Sequence, residues 1–102
     1  MKSFKISKVW IDASNRLCIK PQKVTFEQIY RRATGVQWNF KERFLYSQSM
    51  LSILPTDWYL RILSAVESEY GCHLIITKRT KWDNIDESLK QLILEEIHSP
   101  TI

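Results

Sequence analysis

Residues 55–78, PTDWYLRILSAVESEYGCHLIITK, predict a helix that is followed at once by a buried strand. Thr56 is the predicted N-cap, and Asp57 complements the positive end of the helix dipole. Gly71 stands directly after the helical pattern, where a left-handed residue often ends a helix. The apolar positions of the helix recur with helical spacing: Tyr59, Ile62, Leu63, Val66 and Tyr70. A Leu-Ile-Ile centre then predicts the strand, over His73–Lys78.

Upstream of this unit, the sequence predicts a β-hairpin. Phe4–Ile11 and Arg16–Lys20 are rich in Ile, Val, Trp and Leu, and an Asp-Ala-Ser-Asn turn separates them. The first strand alternates imperfectly, which predicts a bulge or a strand buried on both faces. Pro21 ends the second strand, because proline cannot donate to a ladder.

A short helix and a second hairpin are predicted next. Thr25–Gln28 has the pattern of a capping box, which opens a helix over Phe26–Thr34 that Gly35 closes. Beyond this glycine the apolar period changes to two, so residues 36–40 predict a half-buried strand. Phe44–Tyr46 is the predicted return strand, although the residues between the two strands are a poor turn signal.

The C-terminal residues predict a last helix, capped by Asp83 or Asn84. Its predicted core face is Ile85, Leu89, Leu92, Ile93 and Ile97. The element order is therefore β-β-α-β-β-α-β-α. This order predicts a single α+β domain over residues 1–102, with a mixed, mainly antiparallel sheet and the helices packed on one face.

The composition indicates one folded domain outside any membrane. The chain has 102 residues, 44% of them hydrophobic, with only two glycines and three prolines. No apolar run approaches the ~20 residues that cross a bilayer, and the N-terminus lacks the apolar stretch of a signal peptide. We therefore expect Cys18 and Cys72 to be reduced, buried thiols in a cytoplasmic protein.

Several kinds of chemistry lack the residues they need. No Gly-rich loop is present to hold a nucleotide phosphate, and no Cys or His spacing is typical of a metal site. Cys72 and His73 are neighbours on a predicted strand and point to opposite faces. We predict no catalytic residue, metal or cofactor and favour a binding protein over an enzyme. An enzyme or small-ligand protein with an aromatic-lined cleft remains an alternative.

Charge is distributed unevenly along the chain. Residues 1–50 hold ten basic and three acidic side chains, and residues 51–102 hold five and eight, so the halves carry +7 and −3. The basic half and the stretch Lys78–Trp82 suggest nucleic-acid binding as a second hypothesis. The predicted basic patch consists of Lys78, Arg79, Lys81, Arg31 and Arg32.

Aromatic residues exceed what so small a core needs, with four Trp and four Tyr. Trp and Tyr concentrate at interfaces and around clefts. We therefore expect a self-associating protein, a homodimer, as the first hypothesis. The residues predicted for its interface or for a cleft are Trp38, Tyr46, Trp58, Tyr59 and Trp82.

Four stretches of the chain resemble small proteins encoded by mobile gene cassettes of bacterial integrons: Asp57–Gly71, Thr80–Ile85, Arg16–Pro21 and Phe40–Ser47. Together they extend the similarity over most of the chain. The resemblance implies a bacterial accessory protein, often oligomeric. Such proteins are largely of unassigned function, so the resemblance assigns no catalytic or binding residue.

Overall fold

Six strands and two helices are present in the computed structural model, which describes residues 2–31, 35–47 and 55–98. The strands are β1 (Lys2–Ile11), β2 (Leu17–Pro21), β3 (Gln37–Asn39), β4 (Phe44–Tyr46), β5 (Cys72–Ile75) and β6 (Lys81–Asp83). The helices are α1 (Pro55–Tyr70) and α2 (Glu87–His98), and Ile29–Arg31 forms a 3-10 turn. The predicted α+β class is confirmed. No helix in these three ranges is long and apolar enough to cross a membrane.

The strands form one mixed sheet in the order β3-β4-β2-β1-β5. The pairs β1–β2, β2–β4 and β3–β4 are antiparallel, whereas β5 and β6 both run parallel to β1. Strand β1 is long enough for β5 to pair with Lys2–Lys5 and for β6 to pair with Lys8–Trp10. The register of β1 against β2 shifts between Ile6 and Lys8, which is the bulge, one of the two alternatives predicted from the sequence.

One face of the sheet forms the core and is covered by the helices. Val9, Ile19 and Leu45 are neighbours across three strands, and each is 0% exposed. They share one hydrophobic cluster with Ile62 of α1 and Ile93 of α2. We call this side of the sheet the helix face.

Helix α1 confirms the strongest sequence prediction but differs in its start and its rotation. It already includes Pro55, which suits a first helical position, so Thr56 lies in the first turn and is not the N-cap. Tyr59, Ile62 and Val66 are buried as predicted. Leu63 is only half-buried and Tyr70 is 36% exposed, because the buried stripe also takes Trp58 and Ala65 on its other side.

The helix predicted over Phe26–Thr34 is not formed as predicted. The described part of that stretch contains only the 3-10 turn, and residues 32–34 lie outside the described residues. The ring of Phe26 is fully buried, with ring centroids 5.9 Å from Trp38 and 4.9 Å from Tyr70. The Gln28 N–H donates to the Tyr70 hydroxyl at 2.7 Å instead of entering a helix. Packing against α1 and β3 therefore overrides the local helical pattern.

The C-terminal region also departs from the predicted boundaries. Strand β5 ends at Ile75, and β6, which the sequence did not predict, occupies Lys81–Asp83. Helix α2 starts at Glu87, and the Asp86 carboxylate caps it by accepting the Leu89 N–H at 2.8 Å. Asn84, one of the two predicted caps, instead donates its side-chain amide to the Ile11 carbonyl.

The predicted core face of α2 is correct only in part. Ile93 is 0% exposed, whereas Leu92 is 51% exposed. Ile85 and Leu89 are partly buried against the core, and nothing is described for the side chain of Ile97. Among the described side chains of α2, only Ile93 is fully buried, so this part of the helix lies at the margin of the core.

Candidate functional site

The face of the sheet opposite the helices carries aromatic and basic side chains. Trp10 lies beside Cys18, and Cys18 lies beside Tyr46. These three alternate along their strands with Val9, Ile19 and Leu45 of the helix face, so they point away from the helices. The register adds further members to this side, which we call the open face: Lys8, Lys20, Phe44 and Lys81, in addition to Trp10, Cys18 and Tyr46.

Three aromatic rings of the open face form a continuous cluster. Trp10 and Phe44 meet edge to face with ring centroids 4.8 Å apart, and Phe44 and Tyr46 are 5.8 Å apart. Trp10 and Tyr46 are half-buried, whereas Phe44 lies deeper at 8% exposure. The cluster therefore presents two ring surfaces to solvent on either side of a buried one.

Lysines from three strands lie side by side next to these rings. Lys8 of β1 is paired in register with Lys20 of β2 on one side and with Lys81 of β6 on the other. The side chain of Lys8 is 39% exposed, and Lys81 is exposed. The Lys20 ammonium donates to the Glu42 carbonyl at 2.7 Å, which fixes its position. Like charges in one row repel one another, so this surface favours a negatively charged ligand.

Two of the cations of this surface lie over aromatic rings. The Lys8 ammonium is 4.9 Å from the Trp10 ring centroid, and the Arg16 guanidinium carbon is 4.7 Å from that of Tyr46. Such contacts contribute about 0.5–1 kcal/mol at exposed sites. They are weak enough for a ligand to displace the cation from the ring.

Acidic groups lie at one end of the open face, next to the β1–β2 turn. Asp12 accepts hydrogen bonds from the Arg16 Nε at 2.8 Å and pairs with its Nη2 at 2.8 Å. Partial burial alone would raise the pKa of Asp12, but the hydrogen bonds and charge of Arg16 outweigh burial and hold that pKa below its usual value. Asp83 lies 4.0 Å from Lys8, with both side chains exposed, so this ion pair is weak.

The aromatic residues predicted for an interface do not share one surface. Trp38, Trp58 and Tyr59 are 6%, 3% and 0% exposed and belong to the core. Trp82 is half-buried on the helix face, with the Lys90 ammonium 5.6 Å from its ring. Of the five predicted residues, Tyr46 alone belongs to the open face.

Burial leaves two polar atoms of α1 without partners in the described part of the chain. They are the Trp58 Nε1 and the Tyr59 hydroxyl oxygen.

The predicted basic patch is divided between two places. Lys78 and Arg79 are exposed in the loop that leads directly into Lys81 of the open face. Arg31 lies elsewhere, 4.0 Å from Glu69 near the end of α1. Arg32 is outside the described residues.

Sequence reasoning missed Lys8, Trp10, Lys20 and Phe44. The signal was present in β2, where Cys18 and Lys20 alternate with the large apolar residues Leu17 and Ile19. Phe44 gave no such signal, because its packing partner Trp10 is distant in the sequence.

The groups considered for catalysis or metal binding are not brought together. Burial, with the nearby charge of Asp12, raises the pKa of Cys18 to about 12, and burial also raises the pKa of Cys72. Both thiols are free and buried, as expected from the sequence. The His73 Nδ1 is 3.6 Å from a Glu67 carboxylate oxygen, and both side chains are about half exposed. Within residues 2–31, 35–47 and 55–98, no group of three His, Cys, Asp or Glu side chains could hold a metal ion.

The fold and the open face together define a small α+β protein in which both described helices, α1 and α2, lie on one face of the sheet. Residues 4–80 match the family Hfx_Cass5, described as Integron Cassette Protein Hfx_Cass5, and the chain belongs to this family. The resemblance to integron cassette proteins expected from the sequence is thereby confirmed.

One solved structure is similar over almost the whole chain. It is described as "Structure from the mobile metagenome of North West Arm Sewage Outfall: Integron Cassette Protein Hfx_Cass5". It is 28% identical, with a TM-score of 0.49, and the match covers 97% of this chain and 99% of that chain. No curated protein gave a significant match.

Proposed function

We propose that the protein binds single-stranded nucleic acid on the open face of its sheet. The observation that carries the proposal is the juxtaposition of the lysine row (Lys81, Lys8 and Lys20) with the aromatic cluster of Trp10, Phe44 and Tyr46. Proteins that bind single strands combine cations that follow the phosphates with rings on which bases stack. The formal net charge of +4 supports the same partner.

Binding proceeds by an exchange of contacts at the rings. In the free protein the cationic ends of Lys8 and Arg16 cover the faces of Trp10 and Tyr46. At Trp10 a base replaces the Lys8 ammonium, which moves to the neighbouring phosphate, whereas Arg16 stays paired with Asp12 beside Tyr46. Because base–aromatic stacking is worth ~1–3 kcal/mol per base, it exceeds the cation–π contact that it replaces.

The geometry favours unpaired strands over duplex. Bases can stack on the rings of Trp10 and Tyr46 only if they are free to leave their own stack, as they are in single strands. Stacking tolerates every base, so we expect little sequence preference. A nucleic-acid ligand also agrees with the cytoplasmic location expected from the sequence.

Fluorescence anisotropy with labelled 12-nucleotide DNA and RNA strands tests the proposal. The double variant Lys8→Ala/Lys20→Ala should weaken binding at least tenfold and lower the salt dependence of the affinity, because two phosphate contacts are lost. Arg61→Ala/Lys90→Ala is the matched control, since it also removes two cations, which lie over Trp58 and Trp82 away from the open face. Equal losses in both variants would show only an effect of net charge and would overturn the proposal.

Ring variants separate stacking from charge. Trp10→Leu should reduce the affinity for the strand by roughly fivefold or more, because the stacking of one base is lost. Trp82→Leu removes an indole of the helix face and should leave affinity unchanged. The absence of binding to either type of strand at low salt would exclude this function.

Self-association is the second candidate function. Phe40, which follows edge strand β3, is 68% exposed, the highest value among the large apolar side chains of the described residues. We propose that two copies pair along β3, so that each Phe40 is covered and the two sheets become continuous.

Light scattering measures the mass of the protein in solution and so tests the proposed dimer directly. Phe40→Ser should shift a dimer to monomer, whereas Leu92→Ser, at a 51% exposed leucine of α2, should not. A monomeric wild-type protein at tens of micromolar would exclude the proposed pairing along β3.

A further inference from the structure

A second group of cations lines a pocket beside the open face. The loop between β5 and β6 lies beside the bulge of β1 and lines an open pocket of about 420 Å³. Its lining residues are Lys5, Gln22, Thr77, Lys78 and Arg79, with three cations and no acid among them. Among the described residues, none of these three cations forms an ion pair. Their mutual repulsion is unrelieved in the free protein.

The loop that holds this pocket is fixed to the sheet by one buried threonine. The Thr80 hydroxyl donates to the Ile6 carbonyl at 2.7 Å and accepts the Thr77 N–H at 3.0 Å. The Arg79 N–H in turn donates to the Thr77 hydroxyl at 3.2 Å. Thr80 is only 6% exposed. Lys78 and Arg79 therefore stay close to Lys5 despite the repulsion, which is the arrangement of a preorganised anion site.

We infer that this pocket binds a phosphate dianion, and that its source is the terminal phosphate of the strand on the open face. The inference rests on the proposed function and specifies the end of the ligand. A terminal phosphate carries about −1.5 to −2 charge at pH 7, whereas an internal phosphate carries one negative charge. Three cations that line one pocket match the greater charge better.

The path of the chain connects the pocket to the lysine row. Thr80 directly precedes Lys81, and Lys5 is separated from Lys8 only by the bulge. A strand with its terminal phosphate in the pocket continues onto Lys81, Lys8 and Lys20 without leaving the surface. The free protein thus offers one site for the end of the strand and a row of sites for its internal phosphates.

Strands that differ only at their ends test the inference. Internally labelled 12-mers carry a 5′-phosphate, a 3′-phosphate or hydroxyls at both ends. A strand with one of the two phosphorylated ends should bind the wild type roughly five- to tenfold more tightly than the strand with two hydroxyl ends, because it adds a charge-assisted contact. Arg79→Ala and Lys5→Ala should remove this preference, and Lys90→Ala should keep it. The preference should shrink at pH 5.5, because a phosphate monoester takes up its second proton near pH 6.

A second measurement separates a strand end from free phosphate. Inorganic phosphate and pyrophosphate, at constant ionic strength, should raise the Tm of the wild type but not of Arg79→Ala. If phosphate stabilises only the wild type and no strand binds, the proposed function falls and the strand end is overturned as the source. If strands bind without an end preference and phosphate leaves the Tm unchanged, the pocket inference is overturned and the proposed function stands.

Discussion

Trp10 and Phe44 pack edge to face at 4.8 Å although they lie on strands that are not neighbours. Strand β2 separates β1 from β4, a distance of about 10 Å between backbones. On this face the register places the small Cys18, which is 0% exposed, between Trp10 and Tyr46, so the Trp10 ring has room to lean across β2 towards Phe44. The aromatic cluster of the open face therefore depends on a small residue beneath it.

Cys18 should resist thiol reagents as long as this ring contact is intact. In a Cys72→Ser background, where Cys18 is the only thiol, we expect slow labelling at pH 8, since burial raises the pKa of Cys18 to about 12. Phe44→Ala should accelerate labelling by roughly tenfold, which corresponds to the ~1–1.5 kcal/mol of an aromatic pair. Trp82→Ala, on the helix face, should leave the rate unchanged. Fast labelling of Cys18 in the protein that retains Phe44 would contradict the packing of the rings over this thiol.

Removal of the Tyr59 hydroxyl should not destabilise the protein. This oxygen is buried and has no hydrogen-bond partner among the described residues, so the folded state bears its desolvation cost. Tyr59→Phe should leave the free energy of unfolding unchanged or raise it by up to ~1–2 kcal/mol. Ile62→Ala, one turn further along the same stripe, should lower it by about 2–5 kcal/mol. Urea denaturation measures both, and a loss above 1 kcal/mol in Tyr59→Phe would point to an unrecognised partner of the hydroxyl.

The stability contributed by Asp12 should depend on pH. Its carboxylate accepts the Ser14 N–H at 3.0 Å and the Arg16 N–H at 2.9 Å, besides the guanidinium of Arg16. Because the folded-state pKa is lowered, this stabilisation is full above the unfolded-state pKa near 4 and is lost as the pH falls through the folded-state value.

Asp12→Asn should therefore cost about 1–2 kcal/mol at pH 7, and its difference from the wild type should narrow below about pH 4. Thermal unfolding between pH 2.5 and 7 follows the effect. Asp83→Asn, at an exposed carboxylate, is the matched control and should cost little at any pH. If the stability difference between Asp12→Asn and the wild type stayed constant from pH 2.5 to 7, the titration of Asp12 would not contribute to the pH dependence of stability.

Gly71→Ala should destabilise the protein by about 1 kcal/mol or more. Gly71 has φ 64°, and a Cβ built there meets nothing within 4 Å, so the cost is backbone strain and not a clash. Ser64→Ala, at an exposed position of α1, is the control and should be neutral or slightly stabilising. Equal stability of both variants would show that the left-handed conformation is not required to end the helix.

Much of the fold was predictable because its signals are local. Gly35 and Gly71 both have positive φ, at 89° and 64°, as their positions after apolar helical patterns indicated. The first hairpin, the C-terminal end of α1 and, as one of two alternatives, the bulge of β1 also followed from residues close together in the sequence. The β3–β4 turn was a poor signal because Arg43 adopts φ 63° there, and the Asn39 carboxamide holds the turn by accepting the Lys41 and Glu42 N–H groups.

The candidate site was predictable only in part. Lys78, Arg79 and Lys81 were identified from their clustering, but Lys8 and Lys20 come from separate strands and join them only through the register. The aromatic surplus was noticed, yet three of the five residues predicted for an interface are buried. Composition gives only the number of aromatic rings. The rotation of α1 and the pairing of β3 decide which of these rings reach the surface.

The sequence by itself determined the α+β class, the amphipathic helix α1 and the residues that end it, because caps, glycine dihedrals and alternation act over a few residues. The tertiary structure decided that Phe26 begins no helix and that Trp58 and Tyr59 enter the core. It also decided that Trp10, Phe44 and the three lysines meet on one face. Helix propensities differ by at most about 0.7 kcal/mol per ordinary residue, whereas burial of one large apolar side chain contributes about 1.5–3 kcal/mol. Packing between distant segments therefore overrides local preference wherever the two disagree.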